Sequence, residues 1–105
     1  MAVDVLRTLK ASLERIPGTY NAFAYGPFAE NPEDPEKEID IVVIGDPDLH
    51  EMDEIISQAE KEVGRPINVL SFTLKEFRQR IAVKDEMVLE VVKGPKVILI
   101  GREPV

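Results

Sequence analysis

One apolar run constrains the fold of this chain more than any other feature. Residues 39–44 read Ile-Asp-Ile-Val-Val-Ile, almost entirely β-branched, and a Gly-Asp-Pro sequence ends the run at 45–47. A strand with apolar side chains on both of its faces is typical of a sheet that other elements cover on each side. The run therefore predicts a buried strand in a layered α/β protein.

Strands and helices alternate along the rest of the chain. Extended, half-apolar segments predict strands over 19–25, 66–72 and 96–100. Helical spacing of apolar residues predicts helices over 3–16, 49–63 and 85–93, with a further helix starting at Thr73. Residues 26–29 are predicted to turn, and the polar, proline-containing segment 30–37 is predicted to be an exposed loop.

Local end signals mark two of these helices. Asp48 with Glu51 can open the helix over 49–63, and Gly64 can close it. Thr73-Leu74-Lys75-Glu76 is a capping box, and Phe72 stands at the spacing of a hydrophobic staple with Phe77. The sequence thus predicts an α/β (α+β) fold, a mixed four-stranded sheet with helices packed on it, in a single domain over residues 1–105. The direct link between the first two strands allows them to be antiparallel.

Composition excludes several classes of function. The chain has 13 basic and 20 acidic residues, a net charge of −7 and no continuous basic run, which disfavours direct nucleic acid binding. No apolar run approaches the roughly 18 residues of a membrane helix, so no membrane association is expected. The chain has no cysteine, which rules out disulfides and thiolate zinc sites. With no basic segment ahead of an apolar one at the start, we expect a cytoplasmic protein.

An acidic pair stands at the mouth of the buried strand. Glu38 and Asp40 are two residues apart, so on a strand they point to the same side and can converge on one cation. The turn at Gly26 and Pro27 precedes them and follows the first strand. This pattern suits metal-assisted phosphoryl chemistry. Without further context, however, a pair of acids at the exposed start of a strand is more often simply solvated than bound to a metal. The lone histidine, His50, is predicted to be a surface residue.

These segments resemble a known family. Tyr25-Gly26-Pro27-Phe28-Ala29 followed by Glu-Ile-Asp at 38–40 resembles the minimal nucleotidyltransferase domain of the DNA polymerase beta superfamily, with its Gly-Ser turn and Asp-x-Asp strand. Segments 64–68, 76–78 and 94–101 resemble the nucleotidyltransferase-like domains fused to winged-helix regulators in prokaryotes. The resemblance covers nearly the whole chain.

The resemblance implies a site and a reaction. Glu38 and Asp40 would bind Mg²⁺ or Mn²⁺, while Gly26, Pro27 and Phe28 would form the turn against the phosphates of an NTP. Asn68 occupies about the place of a third acid, and with the metal pair it completes the expected catalytic set. The reaction would move a nucleoside monophosphate from the NTP to a hydroxyl of a small molecule or protein.

Three departures from the family pattern keep a second hypothesis open. Pro27 replaces serine and has neither a hydroxyl nor an N–H, Glu38 replaces aspartate, and Asn68 cannot remove a proton at neutral pH. The alternative is a catalytically inactive regulatory or antitoxin-like interaction module. By resemblance its partner would be a second copy of the chain or a helical toxin-like protein. Tyr25 has two interpretations as well, stacking on a base or packing at the end of its strand.

Overall fold

The structure is a computed structural model that describes residues 4–102. Its elements are α1 (Val5–Glu14), β1 (Thr19–Tyr25), α2 (Gly26–Glu30), β2 (Ile39–Gly45), α3 (Leu49–Val63), β3 (Ile67–Phe72), α4 (Leu74–Ala82), α5 (Glu86–Lys93) and β4 (Lys96–Ile100). The bounds of β1 and β4 match the sequence prediction, and α1 ends two residues before the predicted Ile16. Val3, which the helical pattern included, lies outside the described residues.

Local side-chain signals set the helix ends as predicted. Asp48 accepts a hydrogen bond from the Glu51 amide at 2.9 Å, and Gly64 ends α3 with a φ of 69°. Both hydrogen bonds of the predicted capping box on α4 form, which satisfies backbone donors that the first turn leaves open. The Phe72 and Phe77 rings lie 5.9 Å apart, as a staple requires. These features depend on neighbours in sequence and were therefore visible in it.

The four strands form one mixed sheet in the order β3-β2-β1-β4. β1 runs antiparallel to both β2 and β4, and β2 runs parallel to β3. The predicted mixed four-stranded sheet is confirmed. Because β2 lies between β3 and β1, side chains at its first residues have neighbours on both sides.

Helices cover both faces of the sheet. Ile39, Ile41 and Val43 pack in one core cluster with residues of α1 and α3, whereas Val42 and Ile44 pack in a second cluster with residues of α4 and α5. This division follows from the alternation of side chains along a strand, and it confirms the prediction of a strand buried on both faces. No helix within residues 4–102 has the length and apolarity needed to cross a membrane.

The predicted turn over 26–29 is instead the start of a short helix, α2. Proline fixes φ near the helical value and lacks only a donor that the first turn leaves unpaired, so Pro27 suits this place. Phe28 is fully buried in the cluster on the α1 and α3 face. Burial of this ring holds α2 against the sheet. Because this burial depends on contacts with distant elements, the short segment itself does not reveal it in the sequence.

Candidate functional site

A row of four side chains crosses the sheet at the end where β2 begins. Lys96 pairs with Tyr25, Tyr25 with Asp40, and Asp40 with Asn68. Residues directly opposite each other on neighbouring strands share a face of the sheet. All four therefore lie on the face that α4 and α5 cover. One cation, one phenol, one carboxylate and one amide stand side by side.

The Asp40 carboxylate faces the turn after β1, as the sequence interpretation required. Its Oδ1 accepts a hydrogen bond from Asn68 Nδ2 at 3.0 Å. A β carbon added at Gly26 would lie 3.6 Å from Asp40 Oδ2. The structure thus brings Gly26, Asp40 and Asn68 together at one place. Oδ2 points toward the turn, and Oδ1 toward β3.

The turn that faces Asp40 has few groups that could contact a ligand. Gly26 has a φ of 70°, a left-handed conformation that glycine adopts without strain. Pro27 is exposed and has no N–H, and the Phe28 side chain is buried in the core. Of the three residues predicted to bind a cofactor here, Phe28 can contribute only its backbone.

Glu38 lies one residue ahead of β2, and its carboxylate is exposed. Within residues 4–102 no hydrogen bond or ion pair involves this carboxylate, so no basic side chain neutralises it. Its backbone neighbours are held: the Lys37 carbonyl accepts from Arg65, and the Ile39 amide donates to the Pro66 carbonyl at 3.0 Å. The convergence of Glu38 with Asp40 on one cation stays a prediction from strand alternation.

The donor set suits a hard divalent cation in part. Mg²⁺ is commonly held by one or two carboxylates together with substrate phosphates and water, which matches Glu38 and Asp40. Among the described residues no group of three His, Cys, Asp or Glu side chains could hold a metal ion. Asn68, at the place of a third acid, donates its N–H to Asp40 instead. The residues fit a cation that arrives with a nucleotide better than one held by protein alone.

Tyr25 packs with the second core cluster at the edge of this site, which agrees with the packing interpretation of its ring. Burial, and to a lesser degree the negative charge of Asp40, raises the pKa of its phenol above the ordinary 10.0. Since the folded state favours the protonated phenol, Tyr25 contributes stability below pH 10 that is lost as the pH rises through its folded pKa.

A titration can isolate the contact between Tyr25 and Asp40. Tyr20 is the chain's other tyrosine and is 62% exposed, so a Tyr20→Phe background leaves one phenol to observe. In that background we expect the absorbance titration of Tyr25 to have its midpoint above pH 10.0. Adding Asp40→Asn should lower the midpoint without restoring it to 10.0, because burial is the larger cause. An unchanged midpoint would show that the two groups do not interact.

Sequence reasoning missed two basic residues beside the site. Lys96 lies at the end of the polar row, where its ammonium donates to the carbonyls of Val92 and Gly94. Arg65 lies on the turn between α3 and β3 and contacts the loop ahead of Glu38. Strand pairing places Lys96, and loop packing places Arg65, so spacing along the chain carried no signal for either.

Other polar and concave features lie elsewhere. His50 is exposed at the start of α3 and pairs with Glu54 at 2.9 Å, in agreement with its prediction as a surface residue. A cavity of about 650 Å³ is bounded by α1, α3 and the 31–38 loop, and one of about 630 Å³ lies between α1 and β4. Neither is lined by Gly26, Asp40 or Asn68.

Comparison with known proteins agrees with this architecture. A family model described as a nucleotidyltransferase domain matches residues 6–104 of the chain. No curated protein is significantly similar to the chain in sequence.

Solved structures of toxin–antitoxin complexes share the fold. A MntA–HpeT double mutant matches with a TM-score of 0.61 and 16% identity, covering 96% of this chain and 75% of that one. A toxin–antitoxin with AMP-PNP matches with a TM-score of 0.62 and 16% identity, covering 96% and 76%. A tri-AMPylated HEPN toxin with MNT antitoxin from Shewanella oneidensis gives 0.58 and 14% identity, covering 93% and 71%. These similarities support the fold.

Proposed function

The chain belongs to the nucleotidyltransferase domain family, and from that premise we propose that it binds a divalent cation and an NTP at the sheet end formed by Gly26, Asp40 and Asn68. The observation that carries the proposal is the position of the Asp40 carboxylate, 3.6 Å from the place of a Gly26 β carbon. In this arrangement the proposed metal ligand, Asp40, faces the turn that the phosphates would approach. The Glu38 carboxylate, which has no partner within residues 4–102, would provide the second negative charge.

The proposed reaction transfers a nucleoside monophosphate from the NTP to a hydroxyl of a small molecule or protein and releases pyrophosphate. Mg²⁺ or Mn²⁺, when bound, neutralises phosphate charge and polarises the reacting phosphoryl group. Glu38 and Asp40 would hold the cation, and Asn68 orients Asp40 through its N–H. Gly26 lets phosphate approach the backbone closely, and the Phe28 amide is the first donor after Pro27. Positioning and charge neutralisation would supply the catalysis.

Thermal melting tests the binding step directly. A ligand that binds only the folded state adds RT ln(1 + [L]/Kd), about 4 kcal/mol when its concentration is about 1,000 times Kd. We expect Mn²⁺ together with an NTP analogue such as AMP-PNP, GMP-PNP or their pyrimidine counterparts to raise the melting temperature more than either component alone. No joint effect with any base would refute the proposal.

A second function is favoured by one observation, the hydrogen bond from Asn68 to Asp40. This hydrogen bond places an amide donor where an active transferase would carry a base. The same fold could then act as an interaction module. Val83 and Met87, 67% and 45% exposed on the α4 and α5 layer, supply apolar surface for a second copy or a helical toxin-like protein. Self-association in light scattering without nucleotide binding would favour this alternative.

A further inference from the structure

One guanidinium group connects three segments that surround the candidate site. Arg65 is half-buried on the turn after α3. Its Nε and Nη2 both donate to the Lys37 carbonyl, at 2.9 and 2.6 Å, and its Nη1 donates to the Pro32 carbonyl at 3.5 Å. Its Cζ lies 5.1 Å from the centroid of the Phe28 ring. The planar group thus spans the loop over 31–38 and stacks on α2.

These contacts hold Glu38 from both sides along the chain. The carbonyl just before Glu38 accepts two hydrogen bonds from Arg65. The amide just after Glu38, that of Ile39, donates to the carbonyl of Pro66, the residue that follows Arg65. A single turn therefore fixes the backbone on each side of Glu38, while the Glu38 carboxylate itself has no partner within residues 4–102. The Glu38 carboxylate is therefore available to bind a cation, while the backbone that carries it is held in place.

The stacking of Arg65 on Phe28 also connects Arg65 to the turn after β1. Phe28 is fully buried and lies two residues after Gly26 in α2. A guanidinium over an aromatic face is attracted by the ring quadrupole, and its flat shape allows stacking and in-plane donation at once. Lysine has the charge of arginine but neither this plane nor its fork of donors.

We propose that Arg65 is a positioning residue for the cation and nucleotide site: it touches neither ligand but sets the place of Glu38 relative to Asp40. This inference rests on the proposed function. Outer residues that orient a metal ligand typically affect metal affinity by about 10- to 100-fold when they are changed. The shape of the side chain at position 65, and not only its charge, then affects the affinity for the cation and the nucleotide.

Arg65→Lys separates shape from charge. We expect it to weaken the binding of Mn²⁺ with AMP-PNP, or with the analogue that melting selects, by about tenfold in isothermal calorimetry. Arg15→Lys is the matched control, since Arg15 is exposed and lies at the end of α1; it should leave the affinity unchanged. An equal affinity of wild type and Arg65→Lys would overturn the inference while leaving the proposed function intact.

A double-mutant cycle with Glu38→Gln distinguishes positioning from general stabilisation. If Arg65 acts through Glu38, Arg65→Lys should have little further effect on affinity once the Glu38 carboxylate is gone. A full additive loss in the double variant would contradict the inference. A Glu38→Gln variant that binds as tightly as wild type would count against Glu38 as a ligand, and so against the inference.

Hydrogen exchange gives a readout that needs no ligand. Arg65→Lys should speed exchange of the Ile39 amide and of the loop over 31–38, and leave the amides of β1 unchanged. Unchanged exchange at Ile39 and in the loop over 31–38 would refute the positioning role of Arg65 even if wild type binds no nucleotide.

Discussion

Asp40→Asn is expected to abolish the thermal stabilisation that Mn²⁺ and an NTP analogue give to the wild-type protein. The substitution keeps the size of the side chain and an oxygen that can accept from Asn68, but it removes the charge that would bind the cation. The loss should equal the whole ligand contribution, about 4 kcal/mol at ligand concentrations about 1,000 times Kd. Melting curves with and without ligand measure it.

The matched control for this variant is Asp53→Asn. Asp53 is an exposed acid on α3 whose side chain has no hydrogen bond or ion pair within residues 4–102, so its loss changes the net charge equally. Its ligand-induced shift should equal that of wild type. If Asp40→Asn keeps the same shift as Asp53→Asn, Asp40 is not a metal ligand and the proposed site is wrong.

Asn68→Asp is expected to raise the rate of nucleotide transfer by roughly 100-fold or more, which is the lower end of what a positioned general base contributes. Asn68 and Asp40 are direct neighbours on parallel strands, so the new carboxylate would lie beside the proposed metal ligand. Single-turnover transfer of a labelled nucleotide to an added acceptor protein or small alcohol measures the gain.

The same variant should change stability in opposite directions with and without metal. Two adjacent carboxylates repel each other, so the melting temperature without metal should fall. Mn²⁺ should reverse this fall because a divalent cation binds both carboxylates. Asn68→Ala is the control, since it removes the N–H to Asp40 without adding a base. Equal transfer rates in Asn68→Asp and Asn68→Ala would show that the missing base does not limit this chain.

The local structure could be read from the sequence because its causes are local. The Asp48 cap, the αL ending at Gly64 and the capping box after Phe72 involve residues no more than a few positions apart. The nearly continuous apolar run of β2 likewise predicted a strand buried on both faces. The one missed element is α2, five residues that are too few to show a helical period and that depend on the burial of Phe28.

The candidate site likewise has residues that the sequence predicted and residues that only contacts between distant segments place. Glu38, Asp40 and the Gly26 turn could be paired from the sequence, because a direct connection between two strands brings the end of one to the start of the other. Asn68 was placed by family resemblance, and the β2–β3 register puts it opposite Asp40. No sequence pattern predicted Lys96 beside Tyr25 or Arg65 on the Lys37 carbonyl.

The sequence by itself determined the approximate positions of every helix and strand except α2, the burial of β2 on both faces and the acidic pair at its start, since these depend on side-chain type and short-range hydrogen bonds. Only the tertiary structure decided which groups meet around that pair. Register across the sheet set the row from Lys96 to Asn68, and packing of Phe28 brought Arg65 over the loop. Contacts between distant segments depend on how whole elements fit together, and that fit is a property of the assembled core.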